Sequence, residues 1–156
     1  MKKIKTALIS VSDKKNLRPL LNTLKKNKIK IISSGGTYKE IKRLKFKCLE
    51  VSEFTNSPEI LEGRVKTLHP KIHAGILNKR KKKSHIKDLK DNNFENIDLV
   101  IANFYPFDDT LKKTKNHEKI IENIDVGGPT MVRSAAKNYN DVTVITSTDQ
   151  YNELIQ

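Results

Sequence analysis

The chain has 156 residues, of which 36% are hydrophobic and 31% charged, with a formal net charge of +13 at pH 7. That length carries one domain with a real core but not two. The chain lacks the run of about 18 apolar residues that a membrane helix needs, and its single cysteine, Cys48, excludes an internal disulfide and makes a cytoplasmic protein the simplest expectation.

The positive charge raises the question of nucleic acid. Only 5 of the 31 basic residues are Arg, however, and aromatics make up 6% of the chain. Sequence readers of nucleic acid favour Arg for bidentate contacts and aromatics for stacking. No specific nucleic-acid partner is therefore expected. The run KRKKKSHIK (79–87) reads as a solvated loop or helix start. The charge instead favours anions in general, small phosphorylated substrates included.

In chain order, β-branched runs alternate with amphipathic stretches, the pattern of an α/β domain with a mainly parallel sheet. KTALIS (5–10) is the first strand, and 15–27 a helix with Leu17, Leu20, Leu21 and Leu24 on one face. KIKIIS (28–33) is a strand, TYKEIKRL (37–44) a helix and KCLEV (47–51) a short third strand. Residues 52–77 read as irregular, with short helical pieces at most. A helical stretch follows the basic run. IDLVIANF (97–104) is the strongest buried-strand signal, and 116–124 and 128–138 suit helices. DVTVIT (141–146) is the last strand, and DQYNELIQ (149–156) opens a helix with no stop signal, as a chain cut from a longer one would.

In open parallel sheets, ligands bind beyond the carboxyl ends of the strands. Here those ends run into SVSDK (10–14), SSGGT (33–37) and NFYPF (103–107), with IDVGGPT (124–130) nearby. In SSGGT, Gly35 and Gly36 let backbone approach an anion, while Ser34 and Thr37 offer hydroxyls at a helix start. A tight turn with Thr37 as N-cap explains the same letters. In SVSDK, Ser12 or Asp13 serves equally as a helix cap, and Lys14 either reaches the anion or points into water. Neither a GxxxxGK[ST] loop nor a GxGxxG fingerprint is present. His69 and His73 stand four residues apart without a third ligand at metal-site spacing, which favours loop-shaping over metal binding. Cys48 lies in an apolar run and reads as core.

SVSDK, SSGGT, EFTNSPEILEGRVKTLHPKIHAGIL, ANFYPF and IDVGGPTMVRSAAKN occur in that order. Together they resemble, across essentially the whole chain, the inosine monophosphate cyclohydrolase domain of the bifunctional purine-biosynthesis family PurH. The resemblance implies a methylglyoxal-synthase-like three-layer α/β domain spanning 1–156. In that family it is normally fused to a folate-dependent transformylase domain, to which nothing here corresponds. The implied reaction closes a formamido ribotide, a purine precursor, into inosine monophosphate with loss of water. In principle it needs no cofactor and no metal.

The resemblance also implies roles for individual residues. Lys66 stabilises the developing oxyanion and Lys137 moves the proton of the departing water, or the two exchange those roles; Asp125 orients the amide and Tyr105 donates or relays near the base. Ser10, Ser12, Lys14, Ser34, Gly35, Gly36 and Thr37 hold the ribotide phosphate, and Asp13 belongs to the same substrate-binding loop. Arg64 and Thr67 anchor base or phosphate, Asn103 meets the carboxamide, and Val126 and Gly127 line the substrate. A non-catalytic effector module of the same fold would need the phosphate loops but not Lys66, Tyr105, Asp125 and Lys137. Oligomeric state is not legible; a homodimer is compatible with the reading.

Overall fold

Five apolar runs join into one sheet in the computed structural model, which describes residues 3–155. They are β1 (Thr6–Val11), β2 (Lys30–Ser33), β3 (Leu49–Glu50), β4 (Leu99–Asn103) and β5 (Thr143–Ile145). The order is β3-β2-β1-β4-β5, every pair parallel. Successive strand side chains point to opposite faces, so each strand feeds two cores. Ala7, Ile9 and Val11 pack with Leu17, Leu20, Leu21 and Leu24 of α1 (Leu17–Lys26), Ile41 of α2 (Gly35–Arg43) and Tyr151 of α9 (Tyr151–Ile155). Leu8, Ile32, Val100 and Ala102 pack on the other face with Phe54 of α3 (Val51–Thr55), Ile72 and Ile76 of α4 (Pro70–Leu77), and Met131 and Ala135 of α8 (Gly127–Lys137). Helix, sheet and helix make the three layers.

Two helices depart from expectation. Residues 52–77 are more ordered than the irregular stretch the sequence suggested. Within them α4 completes two turns: Pro70 sits at its first position, His69 Nδ1 accepts from Lys71 N–H at 3.1 Å, and Ile72, Gly75 and Ile76 are buried. Its apolar face is hidden among cations, too short to register as periodicity. Helix α6 (Phe107–Lys113) was also unforeseen, although Asp108 and Asp109 at its start and Lys112 and Lys113 at its end suit the helix dipole. The basic run forms an exposed turn leading into α5 (Lys83–Asp91), and α7 (His117–Glu122) precedes α8. The third strand shrinks to two residues because Val51 starts α3. Gln156, the last residue of the predicted final helix, lies outside the described residues.

Within the basic run, Arg80 behaves differently from its neighbours. Its guanidinium donates to the carbonyls of Gly75, Asn78 and Ile97 and to Asp98 Oδ1. Buried Asn138, just past α8, donates through Nδ2 to the Ile76 and Asn78 carbonyls at 2.8 and 2.9 Å. These bonds satisfy the frayed end of α4 and tie it to α8 and β4. Asn138→Ala should leave the Ile76 carbonyl without a donor and the Asn78 carbonyl with Arg80 alone, and cost about 1–3 kcal/mol. A lower urea midpoint at unchanged slope is the expected result.

Candidate active site

The sheet reverses its build direction between β1 and β4. From β1 the chain adds β2 and β3 on one side, then crosses to add β4 and β5 on the other. Loops leaving these neighbouring strands diverge, and a crevice opens at their carboxyl ends. A cleft of about 540 Å³ lies there. It gathers the segment after β1, the start of α2, the loop around Arg64, the end of β4 and the start of α8.

The first turn of α2 forms one wall. Ser34 precedes it in extended conformation, its hydroxyl unused for capping, and Gly35 takes a left-handed φ of 55°. The first helical bond runs from Tyr38 N–H to the Ser34 carbonyl, so the N–H groups of Gly35, Gly36 and Thr37 lie ahead of the ladder. Successive N–H groups in such a bend form a concave anion site reinforced by the helix dipole. Lys14 Nζ donates to the Ser12 carbonyl at 3.2 Å and lies 3.8 Å from where a Gly36 Cβ would stand. Lys66 Nζ lies 3.3 Å from the equivalent point on Gly35. Two ammonium groups thus border this turn. Ser10 and Ser12 complete the wall.

Thr37 departs from expectation: its buried hydroxyl donates to the Val11 carbonyl and accepts from Val11 N–H, fastening α2 to β1. It therefore offers an anion its N–H but not its hydroxyl. Asn103 is likewise committed. Its Oδ1 accepts from Ser12 N–H (2.6 Å) and Asp13 N–H (2.9 Å), and its Nδ2 donates to the Asp13 carbonyl (3.1 Å). Its oxygen is used up on backbone, so of the accepting and donating roles expected toward a carboxamide only the second Nδ2 hydrogen is left, on a residue that lines the cleft.

The opposite wall comes from the loop before α4 and the start of α8. Ile60 and Val65 form an isolated antiparallel bridge, and the tip between them runs through positive φ at Leu61, Glu62 and Gly63. Non-glycine residues hold that conformation at a cost of roughly 1–2 kcal/mol each. The tip carries Glu62, Gly63 and Arg64 into the cleft lining. Arg64 pairs with Glu122 of α7 across the rim; the guanidinium beside it holds the Glu122 carboxyl below its ordinary range. Asp125 Oδ1 accepts from Gly128 N–H at 2.8 Å, capping α8, while the residue still lines the cleft. A Cβ on Gly127 would stand 2.6 Å from buried Thr67 Oγ1, so these two walls meet through a glycine. Tyr105 is 54% exposed at the mouth, and exposed Val126 lines it too.

Two expected site residues lie elsewhere. Asp13 is exposed and outside the lining, its Oδ1 accepting from Lys15 N–H in a local turn. Lys137 is exposed at the far end of α8, ten residues beyond Gly127, hence about 15 Å along the axis from the cleft. The expected convergence of Lys66 and Lys137 is not what this chain builds; Lys14 and Lys66 are the ammonium groups that share a turn.

Glu59, Glu62, Gly63 and Glu122 escaped the sequence reading. Glu62 and Gly63 adjoin Arg64 in the segment that carries the family likeness, whereas only the cross-cleft ion pair exposes Glu122. His69 caps α4, and His73 Nδ1 lies 3.1 Å from Ser134 Oγ, with burial lowering the His73 pKa. His69 thus fixes the start of α4, and His73 faces α8. Cys48 packs against the core, and burial pushes its thiol up to about 12. Among the described residues no helix is long and apolar enough to cross a membrane.

Comparison with known proteins extends this picture. The bifunctional purine biosynthesis protein PurH of Prochlorococcus marinus subsp. pastoris is 54% identical over 151 residues, covering 96% of this chain and 29% of that protein. PurH of Clostridioides difficile is 49% identical over 152 residues, covering 97% of this chain and 30% of that one. The chain therefore spans under a third of the length of the curated relatives it matches. The crystal structure of ForH superposes with a TM-score of 0.84 at 30% identity, over 97% of this chain and 78% of ForH. The MGS-like domain model matches residues 16–130, which take in β2, β3, β4 and the cleft-lining segments from α2 to the start of α8, and the chain belongs to the MGS-like domain family.

Proposed function

We propose that this domain is an inosine monophosphate cyclohydrolase, acting in the cytoplasm on a purine-precursor ribotide. One observation carries the reading. A single cleft joins an anion cradle at α2 to a wall bearing Lys66, Tyr105 and Asp125, in a chain half identical to purine-biosynthesis proteins. A ribotide has that same polarity, phosphate at one end and a reactive base at the other.

The reaction is internal. The carboxamide nitrogen attacks the formyl carbon, a C–N bond forms, and the formyl oxygen gathers charge. That oxygen leaves as water, taking the protons released by nitrogen, and a C=N bond closes the ring. Both partners belong to one molecule, so most of the entropic cost is already met. What remains is to hold the rotamer, stabilise the oxyanion and supply a proton. The α2 N–H groups, Lys14, Ser12 and Ser34 hold the phosphate. Lys66 faces the oxyanion and, with Lys137 remote, also protonates the departing hydroxyl. Asp125 orients the amide through its free carboxylate oxygen, and Tyr105 bounds the base. Homodimerisation belongs to the same reading, with exposed Phe104, Phe107 and Leu111 as available apolar surface.

An absorbance assay on the formamido ribotide tests it directly: turnover without added cofactor is expected. Binding of inosine monophosphate without turnover would favour the effector module instead. Lys66→Ala should lower kcat by about two to four powers of ten. Lys14→Ala should chiefly raise KM, by about tenfold or more, as a lost charge-assisted contact does. Lys137→Ala should cost at least about tenfold less in kcat than Lys66→Ala, a separation near 1.4 kcal/mol. In Gly127→Ala the new methyl would press on Thr67 and push the facing cleft walls away from each other. It should reduce kcat/KM by about tenfold to a hundredfold with the fold intact by circular dichroism.

A further inference from the structure

We infer that Glu59 and Gly63 form a clamp that positions the Lys66 ammonium, an inference resting on the cyclohydrolase reading above. Lys66 Nζ lies 3.1 Å from Glu59 Oε1. A Cβ on Gly63 would stand 2.4 Å from that same oxygen, 2.5 Å from Lys66 Cε and 2.8 Å from Nζ. With Gly35 Cβ space 3.3 Å away on the other side, the ammonium occupies a slot bounded by two glycines and one carboxylate. Both glycines have positive φ, 55° at Gly35 and 91° at Gly63, so each is needed for its backbone shape as well as its missing side chain.

Glu59 reaches substrate only through Lys66. It is absent from the main cleft lining and faces instead a small cavity with Ser34, Glu50, Val51, Ser52 and Ser57, about 10 Å³, the size of one water. Lys66 lines both spaces. The pair is partly exposed, 31% and 42% at the two side chains, which makes it a weak source of stability. Its effect is geometric. A lysine stem has many rotamers, and a carboxylate behind it selects the one that presents the ammonium to the cleft. Glu59 is a positioning residue.

A double-mutant cycle in kcat tests this, using the wild type, Glu59→Ala, Lys66→Ala and the double variant. Glu59→Ala should lower kcat by about tenfold with KM nearly unchanged, and should add nothing in the Lys66→Ala background. Equal losses in both backgrounds would mean that Glu59 supports the fold alone, which overturns the inference. Gly63→Ala keeps both charges but evicts the lysine tip, and should reproduce the kcat loss; full kcat in that variant also overturns it. Acetic anhydride labelling read by peptide mass spectrometry reports the clamp without turnover. Lys66 should label about threefold or more faster in Glu59→Ala than in wild type, relative to the other lysines, as a side chain released from an ion pair does. Unchanged labelling defeats the clamp. Absent turnover in the wild type defeats the cyclohydrolase reading, while the labelling still decides the clamp.

Discussion

Everything at the cleft depends on the seam between β1 and β4. Val11 and Asn103 are register partners at the carboxyl ends of these strands, and the chain leaves them in different directions. Asn103 then closes the seam by gripping the backbone of Ser12 and Asp13 with three hydrogen bonds. Thr37 performs the matching task from α2, bonding both backbone groups of Val11. Polar side chains at strand ends are thus consumed in fixing the loops that carry function. A crevice between diverging loops would collapse or breathe without them, because the loops have little apolar surface to bury.

The electrostatics follow from this framework. Two cations border the opening turn of α2, where the helix dipole and three unbonded N–H groups add positive potential. Each cation on the facing loop has a carboxylate near it: Arg64 has Glu122, and Lys66 has Glu59. Such pairs are partly solvated, so an arriving anion can compete for the cations at modest cost. The net charge of +13 thus gains a local meaning: it attracts anions from a distance, while paired acids set where each cation rests.

Much of the architecture was legible. Alternating β-branched runs specified the sheet and its buried faces, and leucines at helical spacing specified α1, because these signals repeat over many residues. The glycine turn after β2 was legible as a helix start, and the structure builds it with Gly35 at positive φ, although an anion cradle and a plain tight turn are written with the same letters. What escaped were short elements and doubly used side chains. Two turns of α4 give too few apolar repeats to read. Nothing in the letters of Thr37 or Asn103 says that backbone has already claimed their polar atoms, since those partners lie 26 and 90 or more positions away.

Lys137 shows where a motif's reach ends. In IDVGGPTMVRSAAKN the acidic residue precedes a helix and the basic Lys137 ends it, and family likeness alone groups them in one site. Helix geometry separates them: eleven helical residues carry the chain about 15 Å away from the crevice that the helix start lines. Lys66 illustrates the converse. It is separated from Lys14 by more than fifty positions, yet both tips meet the same turn, because sheet order places the loop after β1 beside the loop before α4. Proximity here is a property of the seam, and a cation's role follows from which end of an element it occupies. The same logic gives Glu59 its significance. A carboxylate behind a lysine and outside the cleft has no evident purpose in sequence, but in space it completes the enclosure of an ammonium that looks both ways.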